Sequence, residues 1–534
     1  MRNPTKRLLA PGRVITILWS SSPAILREFV QHLGHNCPIP PNMRSILATI
    51  IFLAIVPTVL AGPWIDPGDS ALRHDIQVLA DAGMITGPVT TWPLSWADVQ
   101  ASLQAHEQQE LGDGEKAALG RLKSRLARAR ASGEVIWSGH VSASEHPTEI
   151  RTFESVPREN AEIGGGLEWT GKRFAARLQA QLVDDADDGK DWRYDNSYLG
   201  MALGNWMFAA TTSDQYWGPS WQSSMLLSNN ARPIPSFTVG RNLTAPFETK
   251  WLSWLGPWDV SVLWGYLEHD RAVPDARVFA GRFNFRPLKG LEIGLSAMSL
   301  WCGSGEDCDA STFGKMITGG GESGQFDRLS SFDIRWSSKA LGQPFAVYAH
   351  AVGEDFGDGS SRLVWPTKVL MQIGTETWGY REGLGSYRFF VEWADTECDA
   401  ALYRTLTFDG GGGKPGCAYR NQTYKSGETY RDRVFANSLD QDSQALTFGS
   451  VLNRDLGRSW QATIILSNLN RYSRSASTTA RNKTRYGDAA LSHQLPAFFG
   501  GEFNLGLGYE YRKDTVLNET DHDVRAFAGW SFEY

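Results

Sequence analysis

Residues 213–235 read SDQYWGPSWQSSMLLSNNARPIP, and they hold side chains whose types and spacing could do chemistry. Tyr216, Trp217 and Trp221 offer flat faces, while Asp214, Gln215, Asn229, Asn230 and Arg232 can exchange hydrogen bonds with hydroxyl groups. A pyranose ring is recognised in this way, with its C–H face on an aromatic and polar groups around its edge. The same residues fit a second reading with equal force. The tryptophans would be anchors at a membrane–water interface, and Gly218, Pro219, Pro233 and Pro235 would only shape the loop.

The remaining candidates for chemistry are weaker. Gly411 to Gly416 (GGGKPG) satisfies the spacing of a nucleotide-binding glycine motif. It neither leaves a strand for a helix nor sits in an α/β unit, so it reads as a loop tip. The chain has no HExxH, no G-x-S-x-G and no phosphate-binding loop. His269 and His350 stand alone in the sequence. A serine and a histidine on different strands could still meet in a barrel lipase, but the expectation is a protein that is not an enzyme. No cofactor and no metal site is expected. Cysteines fall in two close pairs, Cys302 with Cys308 and Cys398 with Cys417. In an exported protein these read as disulfides that pin loops, because no His or carboxylate cluster flanks them at ligand spacing.

Export follows from residues 43–62, MRSILATIIFLAIVPTVLAG. They carry a basic start at Arg44, an apolar core and a small-residue cleavage site at Ala61. The core is short for a spanning helix and holds Pro57 near its end. The expected division is an extra or misassigned segment at 1–42 containing Cys37, a signal peptide at 43–61, a periplasmic helical domain at 62–133 and a barrel at 134–534. Without residues 1–61, which hold six basic groups and one acidic, the net charge moves from -7 to -12. An acidic chain without a basic run is not a nucleic-acid binder.

Two kinds of periodicity must position these residues. From Asp66 to Ser132 the period is helical. Asp69 and Ser95 stand at N-cap positions, Gly83 ends a helix, and Leu72, Ile76, Leu79 and Ala80 share a face. A third helix, from about 114 to 131, turns Leu119, Leu122 and Leu126 inward. Beyond Glu134 the period becomes two. Trp258, Val260, Val262, Trp264 and Tyr266 alternate with Asp259, Ser261, Leu263 and Gly265, which places one apolar and one polar face on each strand. The chain ends with Val524, Ala526, Ala528, Trp530, Phe532 and Tyr534 on one face, the aromatic-terminated strand of an outer-membrane barrel.

Eighteen antiparallel strands are expected, from 134–144 to 523–534, with one continuous strand at 192–203. The long connections (145–159, 214–233, 301–325, 353–366 and 397–442) fall opposite the C-terminus, on the extracellular side. The Trp-rich connection 244–256 breaks that alternation. Inward faces carry both signs, at Arg177, Asp259, Glu292, Asp333, Arg335, Arg388, Glu392, Glu510 and Arg525, as a lumen of ion pairs and water requires. Twenty-one Trp among 12% aromatics suit two interfaces, and a mean hydropathy of -0.32 suits strands that are apolar on one face only.

Several segments in order resemble the Wzi family of outer-membrane capsule-assembly proteins. They are DPGDSALRHDIQVLADAGMI (66–85), the 213–235 loop, LEIGLSAMSLWCG (291–303), FDIRW (332–336), GED (353–355), VEWADTECDA (391–400) and CAYRNQTYKSG (417–427). Residues 1–42 have no counterpart in it. The resemblance implies an eighteen-stranded barrel with an N-terminal helical part. It also implies a lectin role, in which capsular or other extracellular polysaccharide is fastened to the cell surface. Partners would be that polysaccharide, outer-membrane lipid and, during biogenesis, the barrel assembly machinery. A carbohydrate-permeable porin is the competing function, and dense inward charge of both signs leans away from it.

Overall fold

The computed structural model describes residues 64–129, 133–318, 325–356, 366–407, 413–454, 457–474 and 476–534. The segment 1–42 with Cys37, the signal peptide and part of the glycine-rich tip lie outside the described residues.

Three helices open the described chain. Helix α1 (Ser70–Ala82) begins where Asp69 accepts the Leu72 N–H at 2.7 Å. It ends at Gly83, whose φ of 87° lets its N–H return to the Ala80 carbonyl. Helix α2 (Trp96–Ala105) is capped by Ser95, and α3 is Asp113–Ala129. Their apolar faces meet in one cluster holding Leu72, Ile76, Leu79, Trp96, Val99, Leu103, Leu122 and Leu126. That cluster continues into Ala346 and Trp378 of the strands, so helices and barrel share a core.

The strands form a closed antiparallel barrel. In chain order they are β1 (Val135–Glu145), β2 (Ala161–Thr170), β3 (Phe174–Asp184), β4 (Tyr198–Leu203), β5 (Trp206–Thr211) and β6 (Ser236–Arg241). Next come β7 (Trp258–Tyr266), β8 (Arg277–Leu288), β9 (Leu291–Trp301), β10 (Asp327–Ala340), β11 (Gln343–Phe356) and β12 (Pro366–Arg381). The last six are β13 (Gly385–Asp395), β14 (Gln444–Arg454), β15 (Arg458–Leu469), β16 (Thr484–Pro496), β17 (Glu502–Asp514) and β18 (Glu519–Glu533). Closure is made by β18 on β1, with Trp530 opposite Val141 and Phe532 opposite Gly139. Closing the sheet removes its edges, the condition for strands to cross a bilayer.

Two-residue alternation sorts the side chains as their types demand. Leu178, Leu507 and Val524 point outward and are 60%, 64% and 68% exposed, whereas Arg525, one position from Val524, and Glu510, three positions from Leu507, are buried in the lumen. The expected strand 192–203 is broken. Trp192–Arg193 pairs with β3 as a stub and β4 starts only at Tyr198. Between them Asn196 takes φ 62°, a left-handed conformation that asparagine tolerates, so the chain bulges. The Ser197 hydroxyl patches the ladder, accepting from Gln179 N at 2.9 Å and donating to Gln179 O at 3.2 Å.

Candidate functional site

The lumen is filled from both ends. At the short-turn end, α1 lies against the strand ends. Asp81 pairs with Arg335 at 2.8 Å, Asn453 donates to the Ala71 carbonyl, and Arg388 Nε donates to His74 Nδ1 at 3.1 Å. Arg286 donates to the carbonyls of Ala80, Ile85 and Gly87, so a cation sits at the carbonyl end of α1. Glu292 on β9 accepts the Val89 and Thr90 N–H groups and the Thr90 hydroxyl. That fixes the strap from α1 to α2 across the interior.

From the opposite end the 213–235 segment folds down into the barrel. Tyr216–Trp217 pairs with Thr91–Trp92 as a two-stranded antiparallel sheet. Gly218 follows at φ 144°, and a Cβ there would stand 2.8 Å from His350 Nδ1, so only glycine fits the turn. Trp221 is at the centre of the lumen. Its indole Nε1 donates to Glu376 at 2.7 Å and its ring stacks on Phe390 with centroids 5.5 Å apart. Arg73 is clamped between Phe153 and Trp221, 4.3 Å from each ring, and donates to the Pro219 carbonyl at 2.7 Å. Burial lowers the Arg73 guanidinium and holds the His74 imidazole well below its ordinary range.

Carboxylates on the wall hold this plug. Glu376 accepts from Arg335 at 2.6 Å and forms an ion pair with Arg388 at 2.6 Å, while Glu392 accepts from Trp221 N at 2.5 Å, Gln222 N at 2.8 Å and the Tyr348 hydroxyl at 2.6 Å. Other inward charges close on each other: Arg282 with Asp333, Arg177 with Asp66, and Arg525 with Asp488 and Glu510. Buried charges persist when paired and hydrogen-bonded, and these pairs meet that condition. Arg73, without an ion-pair partner among the described residues, is held instead by two ring faces and a carbonyl.

The eight residues singled out in 213–235 are therefore placed as follows. Tyr216, Trp217, Trp221, Asn229 and Asn230 are buried among protein partners. Asn229 donates to the Phe153 carbonyl and Asn230 to that of Val434. Arg232 forks onto Asp195 at 2.8 Å and also meets Asp188. Asp214 faces Arg158 at 3.4 Å across a polar cavity of about 140 Å³, also lined by Glu154, and Gln215 bends back to the Ser213 carbonyl. Burial raises Asp214 to about 6 and Glu154 to about 7. The structure brings the eight residues together as a plug. It leaves none of the three aromatic faces open to the long-loop surface.

That surface is held by its own contacts. Both disulfides are formed, Cys302–Cys308 and Cys398–Cys417. Tyr424 links their loops by donating to the Cys302 carbonyl at 3.1 Å, and Tyr419 ties the 396–443 connection to the plug through the Met225 carbonyl at 2.9 Å. Lys414 of the glycine-rich tip bridges to Cys398 and pairs with Asp399 at 2.7 Å, which fastens the described part of the tip.

Beside Cys398 the connection 470–483 offers what the plug does not. The Tyr472 ring is 46% exposed, and its hydroxyl donates to Glu397 Oε1 at 2.7 Å. Arg471 braces the same carboxylate at 2.5 Å and Asp395 at 3.1 Å, with exposed Arg474 and half-exposed Lys414 close by in the chain or across the disulfide. The signal for this patch in the sequence is the run RYSR (471–474), an aromatic among bases in a connection between strands.

The model of the capsule assembly protein Wzi family matches residues 136–526. The chain belongs to the Wzi family. An uncharacterized 55.8 kDa protein from the cps region of Klebsiella pneumoniae is 28% identical over 294 residues, which are 54% of this chain. The match spans 57% of that relative's length. The solved structure of Wzi from Escherichia coli superposes with a TM-score of 0.75 at 23% identity, over 88% of this chain and 98% of that one. That protein is described as an outer-membrane, carbohydrate-binding β-barrel involved in group 1 capsule assembly. This Wzi-family barrel is likewise an outer-membrane protein, with an apolar wall outside and a polar lumen.

Proposed function

We propose that this barrel binds capsular or related extracellular polysaccharide on its outer face and helps attach it to the cell surface, without conducting it. Short turns face the periplasm and long connections face outward, the usual sense for such barrels. The observation that carries the reading is the filled lumen. Trp221 donates to Glu376 and Glu392 inside the barrel and Arg73 stacks on its ring, so the described residues leave no passage for a sugar chain on that axis. Polymer then meets the long-loop surface, where Tyr472 supplies a fixed, open ring and Arg471, Arg474 and Lys414 supply donors around it.

In this reading the 213–235 segment supports the binding face from beneath. Trp217 and Trp221 set the floor, and Arg232 ties it to Asp188 and Asp195. No catalytic role is assigned, and a serine-reactive probe is expected to leave the protein unlabelled. The test is binding of purified protein to a panel of capsular glycans, with Tyr472→Ala beside the wild type. Saturable binding that weakens about tenfold, or ~1.4 kcal/mol, in the variant is expected. Equal binding by both proteins rejects the Tyr472 patch, and no binding to any glycan rejects the function.

A further inference from the structure

Outward-facing residues of β15 to β18 form rows that can be followed across four strands. Near the long-loop end one row reads Asn468, Arg485, Lys513, Thr520. The rows beneath turn apolar and aromatic. One holds Leu466, Tyr511 and His522, and the next holds Ile464, Tyr509 and Val524. Leu507 faces Leu491 two residues further down, and the wall ends at Leu495, Phe503 and Trp530. From Arg485 to Leu495 is ten residues of β16. At roughly 3.4 Å per residue and a tilt near 40°, that is about 26 Å along the membrane normal. An apolar band is about 25 Å tall, so Arg485 and Lys513 stand at its outer margin, at the level of lipid headgroups.

Their pairing is unusual. Arg485 and Lys513 are direct cross-strand partners, an arrangement of like charges that destabilises a sheet unless something offsets it. Neither has an ion-pair partner among the described residues. The adjacent acid, Asp514, is already engaged by the N–H groups of Val516 and Leu517 and by the Asn482 amide. Arg481 and Lys483, both exposed, extend the positive charge toward the outer surface.

We propose that Arg485 and Lys513 form a binding site for the phosphate of a phosphorylated glycolipid in the outer leaflet. The guanidinium grips the phosphate by two parallel donors and the ammonium adds a point charge. The acyl chains lie along the row of Tyr511, Tyr509 and Leu507. The occupant is a lipid because the cations crown an apolar wall. It is anionic because both charged residues on the outward face of this row are positive, while Glu519 and Asp521, the acids that flank Thr520, belong to the opposite face of the strand. The site shares no side chain with the Tyr472 patch, although Arg481 and Lys483 belong to the same connection, and it rests on the membrane placement alone.

Full-length protein in detergent, titrated with lipid A bearing both phosphates and observed by native mass spectrometry, tests the proposal. Wild type should retain lipid at least tenfold better than R485Q/K513Q, while dephosphorylated lipid A should bind wild type no better than the variant. R454Q/R458Q, which neutralises opposed cations at the other end of β14 and β15, should behave as wild type. Equal retention by wild type and R485Q/K513Q overturns the site. Displacement of the lipid by equimolar inorganic phosphate overturns the lipid assignment. Heat-modifiable migration reports folding. Should the double variant not fold, K513Q alone is expected to lose about threefold, and undiminished retention by it rejects the proposal. Glycan binding by R485Q/K513Q should stay at the wild-type level.

Discussion

The plug and the outer loop are built from the same kinds of residue and put them to opposite uses. In the plug, Trp221 stacks on Phe390, donates to Glu376 and covers Arg73, leaving no face free. In the 470–483 connection, Tyr472 gives its hydroxyl to Glu397 and keeps much of its ring open, braced by Arg471. An aromatic beside arginine is thus ambiguous by itself. The difference lies in whether carboxylates consume the ring's surroundings or only orient it.

Changes on the two sides should therefore be read out differently. Trp221→Ala removes the centre of the plug and is expected to cost about 3–5 kcal/mol. Thermal unfolding in detergent would report it, and glycan binding should fall only secondarily. A variant as stable as wild type would mean that the ring does not hold the plug. Glu392→Gln keeps the shape but removes the charge that fixes Trp221 N, Gln222 N and the Tyr348 hydroxyl. A loss of about 1.5–3 kcal/mol is expected from the same measurement, since hydrogen bonds to a charged group are worth that much. Tyr472→Ala should reverse the pattern, leaving unfolding unchanged while weakening glycan binding about tenfold, or ~1.4 kcal/mol.

A smaller effect concerns acidity. Glu154 and Asp214 are raised from ordinary values of 4.5 and 3.8 to about 7 and about 6. The folded protein then holds protons that the unfolded chain releases, so stability should be greatest at acid pH and decline as pH rises from about 4 through 7. Both groups keep some solvent contact, so a slope of only about 2–4 °C in Tm across that window is expected. E154Q/D214N should flatten it. An unchanged slope would place the titration elsewhere.

Much of the barrel was legible because a strand in lipid must alternate. Val524, Trp530 and Tyr534 announced an outward face, and register follows once that face is known. The Asn196 bulge was not legible, because a single left-handed residue leaves the alternation on either side intact. For the site, the 213–235 segment was recognisable as special, yet its destination was not. Whether Trp217 and Trp221 face solvent depends on partners such as Glu376, Glu392 and Arg73, which are distant in sequence and join them only when the barrel closes. The openness of Tyr472 was not legible for the complementary reason. Its exposure is set by Glu397 and by the Cys398–Cys417 link, neither of which marks the RYSR run.

Planar-bilayer recording of the purified wild-type protein tests the sealed barrel most directly. A plug held by Glu376 and Glu392 predicts a baseline without steady openings, and Trp221→Ala should introduce them. Large, steady channels from the wild type would contradict the account, because polysaccharide could then pass through an open lumen.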